Sequence, residues 1–288
     1  MIQSMTGYAA KTRDVAHGSL SFELKSVNSR FLDVHFRVCE ELRMAEPALR
    51  EAIASRAGRG KVECRVYFMA AARGAQQLVL NEELLAQLGA LDRQVRSGLP
   101  DARALAVGEI LRWPGIFGDE AVDQDALLSA TLAVAREALD DFVASRGREG
   151  EKLKAIILER LARMRERVEQ VAPHIPAAQQ AFQEKLKQRL VDAIGSADDE
   201  RVRQEVVVFA ARIDVAEELA RLATHMDEVE RVLKQGGAVG KRLDFLMQEL
   251  NREANTLGSK SVVSEVSQTA MDLKLLIEQM REQVQNLE

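Results

Sequence analysis

Residues 240–260, with the sequence GKRLDFLMQELNREANTLGSK, concentrate polar side chains of opposite chemistry in one short stretch. The stretch contains three carboxylates, four cations and two asparagine carboxamides: Asp244, Glu249, Glu253, Lys241, Arg242, Arg252, Lys260, Asn251 and Asn255. Carboxylates hold metal ions or transfer protons, whereas cations hold phosphates. A helix that presents both kinds of side chain favours chemistry on a substrate that contains phosphate.

Glu249 and Glu253 are four residues apart, so on a helix they project from one face, one turn apart. Two carboxylates placed in this way repel each other on a solvated helix. A divalent cation would relieve the repulsion, and Mg²⁺ and Mn²⁺ prefer such oxygen ligands. The alternative is that Arg242 and Arg252 neutralise the two carboxylates without any metal.

A preceding helix, predicted over residues 199–234, has a polar stripe beside its apolar face. Asp214, Glu218, Arg221 and His225 follow at spacings of four, three and four residues and therefore share that stripe. Ion pairs within the helix would explain the charged members, but histidine is also a metal ligand and a general base near neutral pH. The pattern predicts a metal site built from two helices, with these ligands: His225, Glu249, Glu253 and, completing the set, Glu218.

Basic residues near turns and helix starts are the candidates for phosphate binding elsewhere in the chain. Arg146, Arg148 and Lys152 surround the sequence GREG (147–150), which is predicted to be a turn or a helix start. Backbone amides and the helix dipole favour anions at such a start. Further candidates of this kind are Lys25, Asn28, Arg30, Arg59, Lys61 and Lys260. Ordinary loop polarity is the alternative explanation for them.

Composition excludes several classes of protein. The chain has 288 residues, 47% of them hydrophobic, which is typical of a globular protein with a full core. Its net charge of −5 argues against a protein that coats DNA, and 4% aromatic residues argue against base stacking as the main mode of nucleic-acid binding. Cys39 and Cys64 are predicted to be free thiols. No signal peptide or membrane span is recognised, so the cytoplasm is the expected compartment.

The predicted fold class is α+β, with a small antiparallel sheet and a covering helix followed by long helices. Alternating apolar residues predict strands over 19–28, 31–38 and 61–70, with a hairpin turn at Asn28-Ser29 and a helix over 41–57. The other predicted helices span 81–97, 107–112, 125–145, 150–171, 177–193, 199–234, 240–257 and 262–287. We therefore predict an N-terminal domain over 1–150, strand-rich in 1–73 and helical in 81–145. An all-α domain that carries the predicted site follows over 151–288.

Seven motifs along the chain resemble the YicC/YloC family. They are SMTGY (4–8), SVNSRFLD (26–33), RGKVE (59–63), GREGEKL (147–153), RIDVAEEL (212–219), the segment 240–260 and REQVQNLE (281–288). Members of this family are described as stress-induced or sporulation-associated bacterial proteins and as endoribonucleases. The resemblance implies a cytoplasmic, metal-dependent ribonuclease that forms a ring-like homo-hexamer around RNA and acts beside other RNA-decay enzymes.

Together, the residue patterns and the resemblance predict cleavage of phosphodiester bonds in structured or small RNA. The divalent cation, Mn²⁺ or Mg²⁺, is expected at the metal site described above. Arg252 is expected to act in catalysis beside His225, Glu249 and Glu253. The residues expected to hold RNA are Lys25, Asn28, Arg30, Arg59, Lys61, Arg148, Arg221, Arg242 and Lys260.

Three alternatives stay open at the level of the sequence. In the first, His225 takes the proton from a ribose 2′-OH, with a metal that is structural or absent. The protein would be an RNA-binding adaptor if it delivered small RNAs to another nuclease without cutting them. It would be a structural homo-oligomer if the stripes of charged residues along its helices formed ion pairs between subunits.

Overall fold

The computed structural model describes residues 1–16, 18–70, 79–117, 123–194 and 200–288. Its N-terminal part contains a four-stranded sheet, formed where apolar and polar residues alternate. The strands are β1 (Gly7–Val15), β2 (Gly18–Val27), β3 (Leu32–Val38) and β4 (Gly60–Ala70). The α+β fold class is confirmed.

The sheet is mixed, and one predicted pairing is wrong. The strand order is β1-β2-β4-β3, in which β1–β2 and β2–β4 are antiparallel and β3–β4 is parallel. The Asn28-Ser29 segment is therefore not a hairpin turn, because β4 lies between β2 and β3. The parallel pairing needs a crossover, which a 3-10 turn (Glu40–Ala45) and helix α1 (Glu46–Ala54) provide. Asn28 turns away from the sheet, and its amide donates to the Gln285 carbonyl oxygen at 2.7 Å.

The remaining helices account for most of the chain. They are α2 (Glu82–Gly98), α3 (Val107–Ile110), α4 (Gln124–Val171), α5 (His174–Ile194), α6 (Glu200–Ile213), α7 (Ala216–Gln235), α8 (Gly240–Lys260) and α9 (Ser264–Val284). Among the helices described here, none has both the length and the apolar character that a membrane crossing requires.

Helix α4 joins two hydrophobic cores. Its first half, including Val134 and Phe142, packs on the inner face of the sheet with Phe22 and on α1. Its second half, including Ile157 and Met164, packs on α7 and α9. The apolar alternation of β2 places Leu20, Phe22, Leu24 and Ser26 on one face, and all four are buried.

The turn or helix start predicted at residues 147–150 is wrong, because α4 continues through these residues without interruption. The two glycines are there for close packing. A Cβ on Gly150 would lie 2.3 Å from the Ile2 carbonyl oxygen, and one on Gly147 would lie 2.7 Å from the Met1 sulfur. The domain boundary predicted after residue 150 therefore falls inside a helix, and it stays a prediction.

The single helix predicted over 199–234 is also corrected. It divides into α6 and α7, with Asp214 and Val215 between them. The Asp214 carboxylate accepts a hydrogen bond from the Ala216 backbone N–H at 3.0 Å, which is a local bond that competes with a continuous helix. Asp198-Asp199, which the sequence predicts as the N-cap of this helix, lies outside the described residues.

Arg146 is fully buried in the middle of α4, so the predicted anion site at this residue is wrong. Its Nε donates to the Ser4 carbonyl oxygen at 2.6 Å, and its Nη2 pairs with the Glu288 carboxylate. The other carboxylate oxygen of Glu288 accepts from the Gly58 backbone N–H at 2.7 Å. One guanidinium therefore links the beginning of the chain, the sheet and residue 288.

Both cysteines are free, as predicted. Cys64 is buried on the inner face of β4, and this burial raises the pKa of its thiol to about 12. The thiol is therefore protonated at neutral pH and behaves as a small apolar side chain.

A carboxylate on α7 connects that helix to the beginning of α8. Glu228 accepts from Arg231 at 2.7 Å and 2.8 Å and also bonds Arg242 of α8. The hydrogen bonds from Arg231, followed by those from Arg242, lower the pKa of Glu228 to about 2 from its usual 4.5.

We expect Arg146→Met to lower the free energy of unfolding by about 3 kcal/mol, because it leaves Glu288 and the Ser4 carbonyl without their partner. Urea denaturation followed by circular dichroism measures the change. Arg148→Met is the matched control, since Arg148 is exposed on the same helix, and it should change stability by no more than about 0.5 kcal/mol. Equal losses in the two variants would contradict the role given to Arg146.

We expect Glu228→Gln to destabilise the protein at neutral pH but not near pH 2. The folded pKa of Glu228 is depressed, so its contribution is present above the unfolded value and is lost as the pH falls from about 4.5 towards 2. Urea midpoints of the natural protein and of Glu228→Gln, measured from pH 6 to pH 2, should converge at the acidic end. A difference that stays constant with pH would rule out the ionised carboxylate as its cause.

Candidate metal and phosphate site

Helices α7 and α8 lie side by side and run in opposite directions. Three contacts show this, since residues early in α7 meet residues late in α8. Glu218 pairs with Lys260, Arg221 with Glu253 and Glu228 with Arg242. The apolar stripes of both helices cause this packing, since Leu222, Met226, Leu250 and Ala254 are all buried in one core.

The packing of α7 on α8 brings His225, Glu249 and Glu253 together. One potential ligand atom from each side chain lies within 4.8 Å of those of the other two. Glu253 is only 3% exposed, whereas His225 and Glu249 are half-buried. An imidazole nitrogen and two carboxylate oxygens thus converge at the edge of a buried core. The Glu253 carboxylate is the least exposed of the three groups.

Two arginines flank this cluster. Arg221 Nη1 lies 3.5 Å from Glu253 Oε1, and Arg252 Nη1 lies 3.9 Å from Glu249 Oε2. Glu217 and then Glu253 raise the pKa of Arg221. Both arginine side chains remain at least half exposed, at 51% and 70%. They are therefore able to bind an anion from solvent while they stay beside the carboxylates.

The charge balance of the cluster fits a divalent cation. Within the described part of the chain, Arg221 is the only cation within 4 Å of Glu253, and its distance of 3.5 Å is too long for a strong hydrogen bond. A carboxylate that is almost fully buried needs closer compensation than this. Two carboxylates and one imidazole also form a donor set that suits Mn²⁺, and Mg²⁺ less closely because it prefers oxygen ligands.

Glu218, the fourth predicted ligand, is not part of this cluster. It is 5% exposed, and its Oε1 lies 2.8 Å from Lys260 Nζ. Lys260 also donates to the Asp214 carbonyl oxygen at 3.0 Å. Both side chains therefore have partners at the far end of α8.

The other residues predicted to hold RNA are spread over the surface. Arg242 bonds Glu228, and Lys61 is exposed on β4. Lys25 and Arg148 line one groove of about 320 Å³ together with Lys152. Three further predicted residues line a neighbouring cleft of about 350 Å³: Asn28, Arg30 and Arg59.

Two basic residues of that second cleft were not predicted as ligands. Lys241 and Arg281 line it together with the predicted group. Lys241 belongs to the polar segment 240–260, so the sequence did draw attention to it. No local pattern marks Arg281, because the cleft forms only when the last turn of α9 packs beside Met5 and Asn28.

Comparison with known proteins identifies the family. The family description "Endoribonuclease YicC-like, N-terminal region" matches residues 2–155, and "Endoribonuclease YicC-like, C-terminal" matches residues 168–288. The chain is 42% identical to "Probable endoribonuclease YicC" of Haemophilus influenzae over 288 residues, which covers all of both proteins. It is 26% identical to "Probable endoribonuclease YicC" of Clostridioides difficile over 293 residues, again with full coverage of both.

These matches confirm the resemblance carried by the sequence motifs. Both family models match in chain order, and together they span nearly the whole sequence. The chain belongs to the YicC-like endoribonuclease family.

Proposed function

We propose that this protein is an endoribonuclease that cleaves phosphodiester bonds in structured or small RNA with the help of a divalent cation. The observation that carries the proposal is the convergence of His225, Glu249 and Glu253 between α7 and α8. The names of its relatives, which are probable endoribonucleases, support the same reaction class.

Glu249, Glu253 and His225 are the residues that would hold the cation. Glu249 and Glu253 come from successive turns of one rigid helix, so their relative position is fixed by the backbone of α8. When bound, Mn²⁺ or Mg²⁺ supplies a Lewis acid that polarises a phosphate oxygen and lowers the pKa of a bound water. Glu218 remains a candidate for completing the ligand set only if its pairing with Lys260 opens.

Arg221 and Arg252 are proposed to bind the phosphate oxygens of the scissile bond. Each lies next to a carboxylate of the cluster, so a phosphate held by both would face that cluster directly. Their guanidinium groups would stabilise the negative charge that develops as the phosphorus–oxygen bond breaks. Glu217 bonds Arg221 from the solvent side and restricts its orientation before RNA binds.

A second chemical route uses the same residues differently. His225 would take the proton from a ribose 2′-OH, and Glu249 or Glu253 would orient its imidazole. The products would then carry a 2′,3′-cyclic phosphate, whereas hydrolysis leaves a linear phosphate end.

The basic residues of the N-terminal part are proposed to hold the RNA backbone away from the cut. They lie in the two depressions described above, on the same side as residues 4–8 and 25–30. One acidic subunit offers only short basic surfaces of this kind. A homo-hexameric ring in the cytoplasm would align several copies along one RNA, which is the assembly we propose.

We expect purified protein to cut an end-labelled structured RNA with Mn²⁺ or Mg²⁺ and to leave it intact in EDTA. Glu253→Gln and His225→Ala should each reduce the cleavage rate by about 100-fold or more, because each removes a central group of the cluster. Glu282→Gln on α9 is the matched control, since Glu282 is exposed and outside the cluster.

The other outcomes of this assay separate the alternatives. Cutting that persists in EDTA and leaves a cyclic phosphate would establish the route through His225 and the 2′-OH. Tight RNA binding without cutting under any condition would contradict the nuclease and favour an adaptor. Loss of the natural oligomeric size in Glu253→Gln would favour a structural role for the carboxylate.

We expect the metal ligands and the phosphate ligands to be separable by calorimetry. Glu249→Gln and His225→Ala should weaken Mn²⁺ binding by about tenfold or more, since each removes a direct ligand. Arg252→Gln should leave Mn²⁺ binding unchanged and still slow cleavage, because Arg252 faces the phosphate. Unchanged Mn²⁺ affinity in all three variants would place the metal elsewhere.

A further inference from the structure

A second basic site lies where the sheet meets the beginning of α8. This cleft has a volume of about 350 Å³, and seven polar side chains line it: Asn28, Arg30, Arg59, Lys241, Asp244, Arg281 and Gln285. They come from the segments flanking β2 and β4, from α8 and from α9. Residues far apart in the sequence therefore converge on one concave surface.

Three of the four cations in the cleft have no ion-pair partner among the described residues, and the fourth, Arg281, has only the long contacts to Asp244 at 3.6 Å and Glu278 at 3.9 Å. Arg30, Arg59 and Lys241 form no ion pair with any residue that the structure describes, whereas the neighbouring Arg242 is paired with Glu228. Four cations face a single carboxylate, Asp244, in a chain whose net charge is −5. Like charges held together in this way repel each other, and a bound anion would relieve the repulsion.

Arg281 gives an independent indication of a missing acceptor. Its Nε is buried and has no hydrogen-bond partner among the described atoms. The closest ion-pair contact of that Nε is with Asp244 Oδ1 at 3.6 Å, which is too long for a hydrogen bond. Buried donors are normally satisfied, so an acceptor in the cleft would complete this one.

The backbone at the start of α8 adds to the positive electrostatic potential of the cleft. The helix begins at Gly240 with no side-chain cap and no acidic residue in its first turn. Its first N–H groups therefore carry the uncompensated positive end of the helix dipole. Gly240 is required here, since a Cβ would lie 2.5 Å from the Leu287 carbonyl oxygen.

We propose that this cleft binds a phosphate group of the RNA strand, as an anchor separate from the His225, Glu249 and Glu253 cluster. The phosphate would contact Arg30, Arg59, Lys241 and Arg281. Asn28 would hold the cleft open through its bond to the Gln285 carbonyl oxygen. This inference rests on the proposed function only in that RNA supplies the phosphate.

The anchor lies at a fixed distance from the cluster, because both are on α8. From Lys241, Glu249 is eight residues and Glu253 twelve residues along the helix, which corresponds to about 12 and 18 Å along the axis. A strand held in the cleft would therefore reach the cluster a few nucleotides away. Arg30, Arg59, Lys241 and Arg281 are positioning residues in this arrangement, since they do not touch the reacting phosphate.

Binding of fluorescent RNA in EDTA tests the anchor without any cutting. We expect Lys241→Ala combined with Arg30→Ala to lower the affinity about tenfold, through the loss of charged contacts to one phosphate. The slope of the logarithm of affinity against the logarithm of salt concentration should decrease in magnitude by about 0.7. Lys187→Ala is the matched control, because Lys187 is exposed on α5, away from the cleft.

Three forms of one RNA distinguish the source of the phosphate: a 5′-monophosphate form, a 5′-hydroxyl form and a circular form. An equal loss of affinity for all three would show that the anchor holds an internal phosphodiester. A loss confined to the 5′-monophosphate form would show that it holds a terminal phosphate. Both results support a phosphate anchor.

The proposal is overturned if the double variant, with its natural oligomeric size, binds all three RNAs as tightly as Lys187→Ala does. Failure of the proposed nuclease activity is a separate result. If RNA stays uncut with Mn²⁺ while the cleft variant loses affinity, the anchor stands and the cleavage mechanism does not.

Discussion

The buried guanidinium of Arg146 is the contact on which the arrangement of the molecule depends. It is enclosed in the middle of α4, where its Nε and Nη2 bond Ser4 and Glu288 from opposite parts of the sequence, while its Nη1 has no hydrogen-bond partner among the described atoms. Burying a charge costs more than its pairing usually returns, so such a pair is tolerated where it specifies geometry rather than where it maximises stability. Here it specifies where residues 285–288 lie.

The position of those residues determines the cleft at the start of α8. The Val239 N–H donates to the Glu288 carbonyl oxygen at 3.2 Å, so α8 begins beside residue 288. The amide of Asn28 bonds the Gln285 carbonyl oxygen, so the sheet meets the same segment. The cleft at the start of α8 follows from this junction.

The sequence predicts the cluster better than it predicts the surrounding fold, for a physical reason. The separation of Glu249 and Glu253 is a property of one helix, and the apolar stripes of α7 and α8 select the faces that meet. The break between α6 and α7 is a local error, since the Asp214 carboxylate bonds the Ala216 N–H two residues away. The other errors concern residues whose role depends on distant partners. Gly147 and Gly150 suggest a turn in the sequence, whereas in the structure they allow residues 1–3 to pack closely on α4. Asn28 suggests a hairpin, whereas in the structure its amide bonds the Gln285 carbonyl oxygen. Arg146 suggests a surface phosphate ligand until its burial is known.

The continuity of α4 limits the insertions and deletions that this helix can tolerate between the two cores. Phe142 contributes to one core and Ile157 to the other, with no break in the helix between them. Inserting one residue in that interval would turn everything beyond it by about 100° and would swing Ile157 out of its core. An insertion or deletion of about seven residues, close to two full turns, would nearly restore the facing of both halves but would shift them by about 10 Å along the helix axis. The number of residues in α4 between the two cores thus sets the angle at which the two halves of the molecule face each other.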